Sequence, residues 1–598
     1  MKKNSIYIII CGVLLILTAA CKKNFLDRFP QTSIPPDLFF NSEEDLSIYI
    51  NGLLSIPEAY NGLVGDQDTD DKATTGSREI RNMMTGTPSS KTITIGWNWS
   101  RLRNINYFLH NYNKAAVSQE VKDHYAGLAR YYRAEFYMEK VKRFSDVPWY
   151  SQVLNPSDTV ELYKKRDPRK LVMDSVMADL EFASSHVKES VPTGTPGKWV
   201  VKLVYARIAL YEGTYRKYHP ELNLQSTANE FLEKARLVAD EIIASNKFSL
   251  HSDYAALFSS ADLTTNKEVL LANIYDQDLK RNGLDNSQLH EYEMSPSRDL
   301  VQSYLMKDGS RFTDQAGYQT FGFVQEFQNR DPRLSQTLIP PGFMKAVNSP
   351  SVPVPYVQVL SKNFTGYHQL KGYINSTDIK TRRDVDFPAY RYAEVLLIYA
   401  EAMAELGTLT QGDLDKSVNL LRSRAGITTP LNLATANGNA DLVLSAKYPD
   451  VSGANKGVIL EIRRERRVEF AAEGYRFDDL MRWHAGKELE KIPEGMYFPG
   501  LGNYDLTGDG VEDIVLVDKN ASLPPTGTNS AGGKLYYYRA GNYGESVTVY
   551  LKNGNSGGPI VTDNSVRQFV DPKYYYRPVP FSQITLNPNL APQSYGWD

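Results

Sequence analysis

The sequence predicts a mainly α-helical protein built from pairs of packed helices, interrupted by long irregular segments and a few short strands. Apolar and aromatic residues recur every three to four positions over about 97–249 and 389–484, which indicates helices with a buried face. Short loops join these helices in pairs, as a tetratricopeptide-like solenoid requires, although the strict repeat consensus is absent. The other segments, about 61–96, 250–388 and 486–570, are rich in turn-forming and polar residues.

Individual helices are predicted where apolar residues share one stripe between turn signals. Tyr392 and Tyr399 fall on such a stripe in one helix. Asn98 or Ser100 is expected to cap another, because a side-chain oxygen there can accept a free backbone N–H. The predicted ranges are 45–60, 97–109, 121–141, 168–186, 198–211, 228–245, 390–406 and 413–424.

The segment 458–483 has the most informative pattern in the chain. It contains no Pro, and it predicts a helix, a break at Gly474 and a shorter second helix. Apolar residues scatter around the first helix instead of sharing one stripe. Such a helix is expected to be enclosed by neighbouring elements on several sides.

The charges on this helix are expected to form ion pairs, because an unpaired buried charge is very costly. Glu461 lies three residues before Arg464, a spacing that brings side chains together on a helix. Glu469 lies three residues after Arg466 and is expected to pair with it in the same way. Acids alternate with the bases and the whole chain has a net charge of −3, which argues against nucleic acid as a partner.

The first 20 residues have the pattern of a bacterial lipoprotein signal peptide. Lys2 and Lys3 precede an apolar run that is too short for a typical membrane-spanning helix and ends in small residues before Cys21. Cleavage is expected before Cys21, with lipid attached to its sulfur. The other cysteine, Cys11, lies inside the removed segment, so no disulfide is expected within the mature chain.

The sequence lacks the common catalytic motifs H-E-x-x-H and G-x-x-x-x-G-K-[ST], and G-x-G-x-x-G after a strand. Its eight His are scattered, and no pair has the spacing of metal ligands on one helix. Cysteine catalysis is excluded because Cys21 is the sole cysteine of the expected mature chain. Carboxylates are plentiful, so a glycosidase pair stays open as an alternative. The preferred interpretation is a binding protein and not an enzyme.

One loop, 505–513, partly matches a calcium-binding loop. Its ligand positions would be Asp505, Thr507, Asp509, Val511 and Asp513, with Gly510 at the turn. The bidentate Glu expected at position 12 is replaced by Leu516, and no flanking helices are evident. The alternative is an Asx/Gly turn between two short strands. Calcium is therefore the one possible cofactor, and no other is expected.

Several motifs in chain order resemble those of the SusD/RagB family. The first is 465–483, which is similar to the family's C-terminal signature. The others are the Phe-Leu-Asp start near Phe25, W-x-x-x-R-x-x-N from Trp99 to Asn106, the helix ending in R-F-S-D-V-P at 143–148, P-S-R-D-L at 296–300, N-R-D-P-R-L at 329–334, and the tail at 574–590.

The resemblance implies a single SusD-like domain over 21–598, after a signal peptide at 1–20. It implies a tetratricopeptide-like body and a lipoprotein anchored in the outer membrane, facing the cell exterior. Such a protein captures glycan for a SusC-like TonB-dependent transporter. The ligand site would lie on the face made by the N-terminal loop and the middle insertions.

Glycan binding needs flat aromatic faces for sugar rings, with polar groups for the hydroxyls. Trp97 and Trp99 stand beside the polar loop that contains Asp66 and Asp68. Trp99 fits a second interpretation equally well, as a core anchor for the first strong helix. The irregular middle segment adds further candidate ligand contacts, which are Tyr292, Tyr318, Phe321 and Phe323.

The sequence leaves two other functions open. Part of the same family serves oligopeptide uptake, so a peptide is the alternative ligand. A cell-surface glycosidase is the alternative of another class. Binding without product formation separates the preferred interpretation from the glycosidase.

Overall fold

A computed structural model of the protein describes residues 39–74, 76–284, 294–348, 350–524 and 527–597. The expected signal peptide, Cys21 and the candidate ligand contact Tyr292 lie outside these ranges. Among the described residues, no helix combines the length and the apolar character needed to cross a membrane.

Helices dominate the described structure, as the spacing of apolar residues predicts. The first half contains α1 (Glu43–Asn51), α2 (Ala59–Val64), α3 (Glu79–Thr85), α4 (Ser100–Asn111), α5 (Gln119–Phe144), α6 (Thr159–Leu162), α7 (Arg169–His186), α8 (Lys198–Tyr218) and α9 (Ala228–Ala244). The second half contains α10 (Arg298–Ser303), α11 (Phe323–Glu326), α12 (Pro332–Thr337), α13 (Ile379–Arg383), α14 (Tyr392–Leu406), α15 (Gln411–Asp415), α16 (Val418–Ala425), α17 (Leu433–Gly438), α18 (Leu442–Lys447), α19 (Lys456–Glu469), α20 (Arg476–Arg482) and α21 (Phe581–Leu586).

The long helices pack in succession. Helix α5 lies against α7, α8 lies against both α7 and α9, and α9 lies against α14, which contacts α19. Their buried faces form one large core, to which α5 contributes Tyr132 and Tyr137 and α14 contributes Leu396. The predicted fold class, mainly α-helical with paired helices, is confirmed.

The predicted helix at 45–60 is wrong, because the chain forms two shorter helices there. Helix α1 begins with a capping box, in which Ser42 Oγ accepts the Asp45 N–H at 3.2 Å and the Asp45 carboxylate accepts the Ser42 N–H. It ends at Gly52, and the chain then runs through Pro57 before α2 starts. Gly is a weak helix former and Pro disfavours helical backbone in the residue before it, so the two residues separate the helices.

Short strands occupy the irregular segments. They are β1 (Lys72–Ala73), β2 (Val269–Asn273), β3 (Ser295–Pro296), β4 (Met344–Val347), β5 (Val352–Pro355), β6 (Phe387–Arg391), β7 (Glu494–Phe498), β8 (Gly502–Tyr504), β9 (Ile514–Asp518), β10 (Gly527–Thr528), β11 (Lys534–Gly541), β12 (Val549–Tyr550) and β13 (Gly558–Val561). Two-stranded pairs join β1 with β3, β2 with β6, β4 with β5 and β7 with β13, all antiparallel.

The segment 486–570 is more ordered than its composition predicts. Strands β10, β11, β9 and β8 form a sheet in that order, and β12 pairs with β11. Strands β9 and β11 are parallel, with Ile514 opposite Tyr536. Ile514, Leu516 and Tyr538 belong to a second core that also receives Leu300 and Val301 from α10. This sheet is a small layer packed beside the helical body.

Helix α19 lies between these two cores, which explains its scattered apolar residues. Ile459 and Leu460 belong to the large helical core, whereas Val468 belongs to the second core. Every residue from Gly457 to Glu469 is buried. The predicted enclosure of this helix is therefore confirmed, and Gly474 has the left-handed φ of +81° expected near the break.

The charges of α19 are paired, but not all with the predicted partners. Glu461 lies 3.3 Å from Arg464, as the spacing predicts. The predicted pair of Arg466 with Glu469 is wrong, because Arg466 instead contacts Asp479 of α20 at 2.8 Å. Asp479 becomes available because the chain reverses at Gly474 and brings α20 back against α19.

Candidate functional site

A tight turn places two tryptophans at the start of α4. Asn98 Oδ1 accepts the Ser100 N–H at 2.8 Å, so Asn98 is the side chain that organises the helix start. Lys140 of α5 donates hydrogen bonds to the carbonyls of Gly96 and Asn98 and thereby holds the turn against α5. Burial, and secondarily the charge of Arg143, lower the pKa of Lys140 to about 8.

Both tryptophans are half-buried, each with one part against the core and one part against solvent. Trp97 packs edge-on against Phe144, with ring centroids 4.8 Å apart. Trp99 contacts Phe136 at 5.6 Å and Tyr150 at 5.6 Å. The core-anchor interpretation and the ligand interpretation of Trp99 are therefore compatible, because the same ring serves both surfaces.

These rings border an open cavity of about 780 Å³, which we name the tryptophan cleft. Its walls come from the start of α4, the segment 148–156, the end of α6 and helix α21. This volume falls in the range of small-molecule sites. The groups that line it and offer polar contacts include Asn98, Arg103, Gln152, Asn155, Tyr163 and Gln583.

Hydrogen bonds hold the cleft walls together. Asn106 of α4 donates to the Tyr150 carbonyl at 2.9 Å, and its Oδ1 accepts from Arg133 at 3.3 Å. Lys164 donates to the Trp149 carbonyl at 2.6 Å and lies 4.9 Å from the Tyr150 ring centroid. The Tyr150 ring therefore contacts both Trp99 and Lys164, and burial raises the pKa of its hydroxyl to about 12.

Among the described residues that line the tryptophan cleft, none is Asp or Glu. Glycoside hydrolysis by the usual mechanisms needs two carboxyl groups across the scissile bond. The cleft instead combines aromatic faces with amides and one arginine, which suits binding of a neutral polyhydroxylated ligand better than its hydrolysis.

The middle-segment candidates that the structure describes do not line the tryptophan cleft. Tyr318 borders a separate cavity of about 920 Å³, together with Arg298, Asp299 and Lys552. Phe321 packs against Phe312 at 5.9 Å and does not line either cavity. The described candidates of the middle segment therefore lie apart from the cavity that Trp97 and Trp99 border, and their contact with a ligand stays a prediction.

Phe323 is a core residue and not a ligand contact. Its side chain is only 4% exposed and belongs to the second core, where it meets Phe327 and Tyr367. Helix α11 begins at this position and points the ring inward. The sequence predicts an exposed side chain at this position, because it shows no strand or helix there that is long enough to indicate a core.

Asp66 is also structural. Its carboxylate is fully buried and accepts N–H groups from Gly474 and Arg476, at 3.4 and 3.3 Å. Burial raises its pKa to about 6. The side chain thus joins the N-terminal polar segment to the start of α20, and is not presented to a ligand.

Asp68 lies apart from the tryptophan cleft. It lines a small cavity with Arg78, Arg81 and Arg567, with room for about 20 Å³, which is too small for a sugar ring. Its Oδ1 is buried without a hydrogen-bond partner, and burial raises its pKa. The arginines around it make a structural role the better interpretation.

The calcium-like loop connects β8 to β9. Asp505 accepts the N–H groups of Gly508 and Gly510 at 2.6 and 2.8 Å, and Asp513 accepts those of Leu506 and Thr507 at 2.8 Å. Asp509 accepts the Val511 N–H at 2.8 Å. These bonds are those of an Asx/Gly turn. Calcium binding by Asp505, Thr507, Asp509, Val511 and Asp513 stays a prediction.

Comparison with known proteins identifies the family to which this chain belongs. A model of the SusD family matches residues 267–597, more than half of the chain. The chain belongs to the SusD family. SusD-like protein P2 of Formosa agariphila is 24% identical over 525 residues, which cover 82% of this chain and 92% of that protein. SusD-like protein P25 of the same organism is 23% identical over 527 residues, covering 79% and 89%.

Solved SusD-family structures share the fold. A SusD-like protein from Bacteroides fragilis superposes with a TM-score of 0.67 at 19% identity, covering 95% of this chain and all of that chain. A SusD-like carbohydrate binding protein from the same species gives a TM-score of 0.65 at 19% identity, covering 92% and 100%. At this identity the likeness establishes the fold and not the ligand.

Sequence reasoning missed several residues of the cleft. Tyr163, Gln152 and Asn155 lie in loops before α7, and Gln583 comes from the C-terminal α21. Nothing in the local sequence connects α21 with residues more than four hundred positions earlier. The available signal was compositional, namely that Tyr150 and Tyr163 flank a polar loop only about fifty residues after the tryptophans.

Proposed function

We propose that this SusD-family protein is a cell-surface lipoprotein that binds oligosaccharide or polysaccharide in the tryptophan cleft and passes it to a TonB-dependent outer-membrane transporter. The observation that supports this most is the composition of the cleft. It offers half-buried aromatic rings beside amides and an arginine, with no acid among the described lining residues. Sugar rings stack on aromatic faces while amides bind their hydroxyls.

The relatives support a glycan as the ligand. One structural neighbour from Bacteroides fragilis and another from Bacteroides vulgatus are described as SusD-like carbohydrate binding proteins. The fold alone does not determine a ligand, so the composition of the cleft is the stronger support for a glycan.

A panel of purified oligosaccharides and peptides tests this function, using the full chain in detergent. We expect calorimetry to detect micromolar or weaker binding of a glycan, at about −8 kcal/mol or smaller in magnitude. Chromatography of the same mixtures after prolonged incubation should recover the glycan intact. Appearance of shorter sugars would establish a glycosidase, and binding of peptides alone would establish a peptide receptor.

The anchor and the transporter belong to the same proposal. Cys21 follows a lipoprotein-like signal, and a multiply acylated anchor is expected because one acyl chain holds only weakly. A capture protein on the same membrane as its transporter gains a high effective concentration, so a modest interface suffices.

We expect a C-terminal tag to recover a large β-barrel protein together with this chain from gently solubilised outer membranes. Cys21→Ala should move the chain out of the membrane fraction and remove the barrel protein from the eluate. Cys11→Ala, in the segment expected to be cleaved, is the matched control and should change neither result. Recovery of the lipoprotein alone from cells grown on the inducing nutrient would refute the transporter partner.

A further inference from the structure

Two histidines and a glutamate meet where α8 ends, one histidine coming from a distant part of the chain. Among the described residues, these are the one group of three whose potential metal-ligating atoms all lie within 4.8 Å of one another. His219 directly follows α8, and Glu221 lies in the next turn. His484 lies two residues beyond α20, in the left-handed conformation with φ +56°.

Each ring nitrogen of His219 faces an oxygen atom that can accept a hydrogen bond. Its Nε2 lies 2.8 Å from the Met481 carbonyl oxygen, and its Nδ1 lies 2.9 Å from Glu221 Oε1. A neutral imidazole carries one N–H and donates to only one of these two oxygens, whereas a charged imidazolium donates to both. A cation bound between Nδ1 and Glu221 would take the place of that second proton, with Nε2–H donating to the Met481 carbonyl oxygen.

His484 is arranged in a similar way. Its Nδ1 lies 2.7 Å from Asp450 Oδ2, and its Nε2 lies 3.3 Å from Asp571 Oδ1. Whichever nitrogen binds a metal, the other has a carboxylate to receive its N–H. Histidine ligands of protein-bound metals almost always have such a second partner, which fixes the ring and its tautomer.

Neighbouring rings hold both imidazoles in place. Tyr215 stacks on His219 with centroids 3.7 Å apart, and Tyr575 stacks on His484 at 4.8 Å. The side chains of Glu221 and His484 are 15% and 16% exposed, so the cluster opens to solvent on one side. A metal ion can therefore enter, and water can fill a fourth position.

We propose that His219, Glu221 and His484 bind one Zn²⁺ ion. Two imidazoles and a carboxylate suit Zn²⁺, whereas Ca²⁺ and Mg²⁺ prefer oxygen ligands throughout. Zinc bonds of about 2.0–2.1 Å place tetrahedral ligands about 3.3 Å apart, so small movements of these side chains complete the site. The ion joins the end of α8 to the end of α20, with the C-terminal tail packed over it through Tyr575.

Equilibrium dialysis of the EDTA-treated full chain against ZnCl₂, with metal analysis, tests this site. We expect one Zn²⁺ per chain and a melting temperature that rises with zinc concentration. His484→Ala and Glu221→Gln each remove a direct ligand of the ion. Both should therefore weaken zinc binding by more than roughly 10–100-fold, the loss typical for residues that only hydrogen-bond to a metal ligand. Asp450→Asn should weaken it less than either.

His110→Ala provides the matched control, because this exposed histidine lies on α4 far along the chain from the cluster. It should bind zinc as the wild type does. Circular dichroism without zinc shows whether each variant is folded. If His484→Ala is unfolded, the zinc affinity of the milder variant Glu221→Gln decides the test. Absence of stoichiometric zinc in the wild type, or unchanged affinity in folded Glu221→Gln and His484→Ala, would overturn the proposal.

Discussion

Glu469→Gln is expected to lower the free energy of unfolding by about 3–5 kcal/mol, the cost of breaking a buried ion pair by removing one partner. Glu469 is fully buried at the end of α19. Its carboxylate lies 2.6 Å from Arg424, 3.0 Å from Arg391 and 3.0 Å from Arg333. The amide keeps the shape of the side chain but removes the negative charge that three buried guanidinium groups share.

Urea unfolding measures this effect as a fall in the midpoint concentration. Glu120→Gln, at an exposed position in the first turn of α5, is the matched control and should change the free energy by no more than about 0.5 kcal/mol. Stability of Glu469→Gln within about 1 kcal/mol of the wild type would show that the other acids of this network, such as Glu268 and Glu465, compensate for the loss.

The pH dependence of the same variant gives an independent check. Burial by itself raises the pKa of Glu469, but Arg424, Arg391 and Arg333 outweigh it and hold the pKa well below its ordinary value. A depressed carboxyl pKa stabilises the fold above the unfolded value of about 4.3, and this contribution is lost as the pH falls toward the folded value. The stability difference between wild type and Glu469→Gln should therefore narrow below about pH 4.

The arginine-rich segment shows how far local sequence carries a fold prediction. Its scattered apolar residues predicted enclosure, and Glu461 with Arg464 followed from helical geometry. The partners of Arg467 did not follow, because Asp70 and Asp71 lie nearly four hundred positions earlier. Local spacing shows that a buried charge needs a partner, whereas tertiary packing decides which residue supplies it.

The candidate sites were predictable to different degrees for the same reason. Trp97 and Trp99 could be named from the sequence because glycan binding needs aromatic faces and these two residues stand beside a polar loop. Asp66 and Phe323 were misplaced, because composition alone does not distinguish a buried residue of an irregular segment from an exposed one. His219 and His484 have no helical ligand spacing, and the pairing of α8 with α20 brings them together.

Replacing Trp97 and Trp99 together by Ala is expected to abolish glycan binding in the tryptophan cleft. Burial of apolar sugar surface on two aromatic faces stabilises the complex by about 3 kcal/mol or more. Loss of that contribution raises the Kd for the glycan by over 100-fold. The structure predicts a lower melting temperature as well, because Trp97 packs on Phe144 and Trp99 on Phe136.

Tyr163→Ala separates binding from stability. This residue lines the same cleft but is 50% exposed. Calorimetry should show glycan binding weakened by about tenfold, equivalent to about 1.4 kcal/mol, while the melting temperature stays at the wild-type value. Tyr60→Ala, at a 43% exposed position outside the cleft lining, should change neither quantity. If Tyr163→Ala binds normally and the double tryptophan variant loses binding only in proportion to its unfolding, the glycan occupies another surface of the protein.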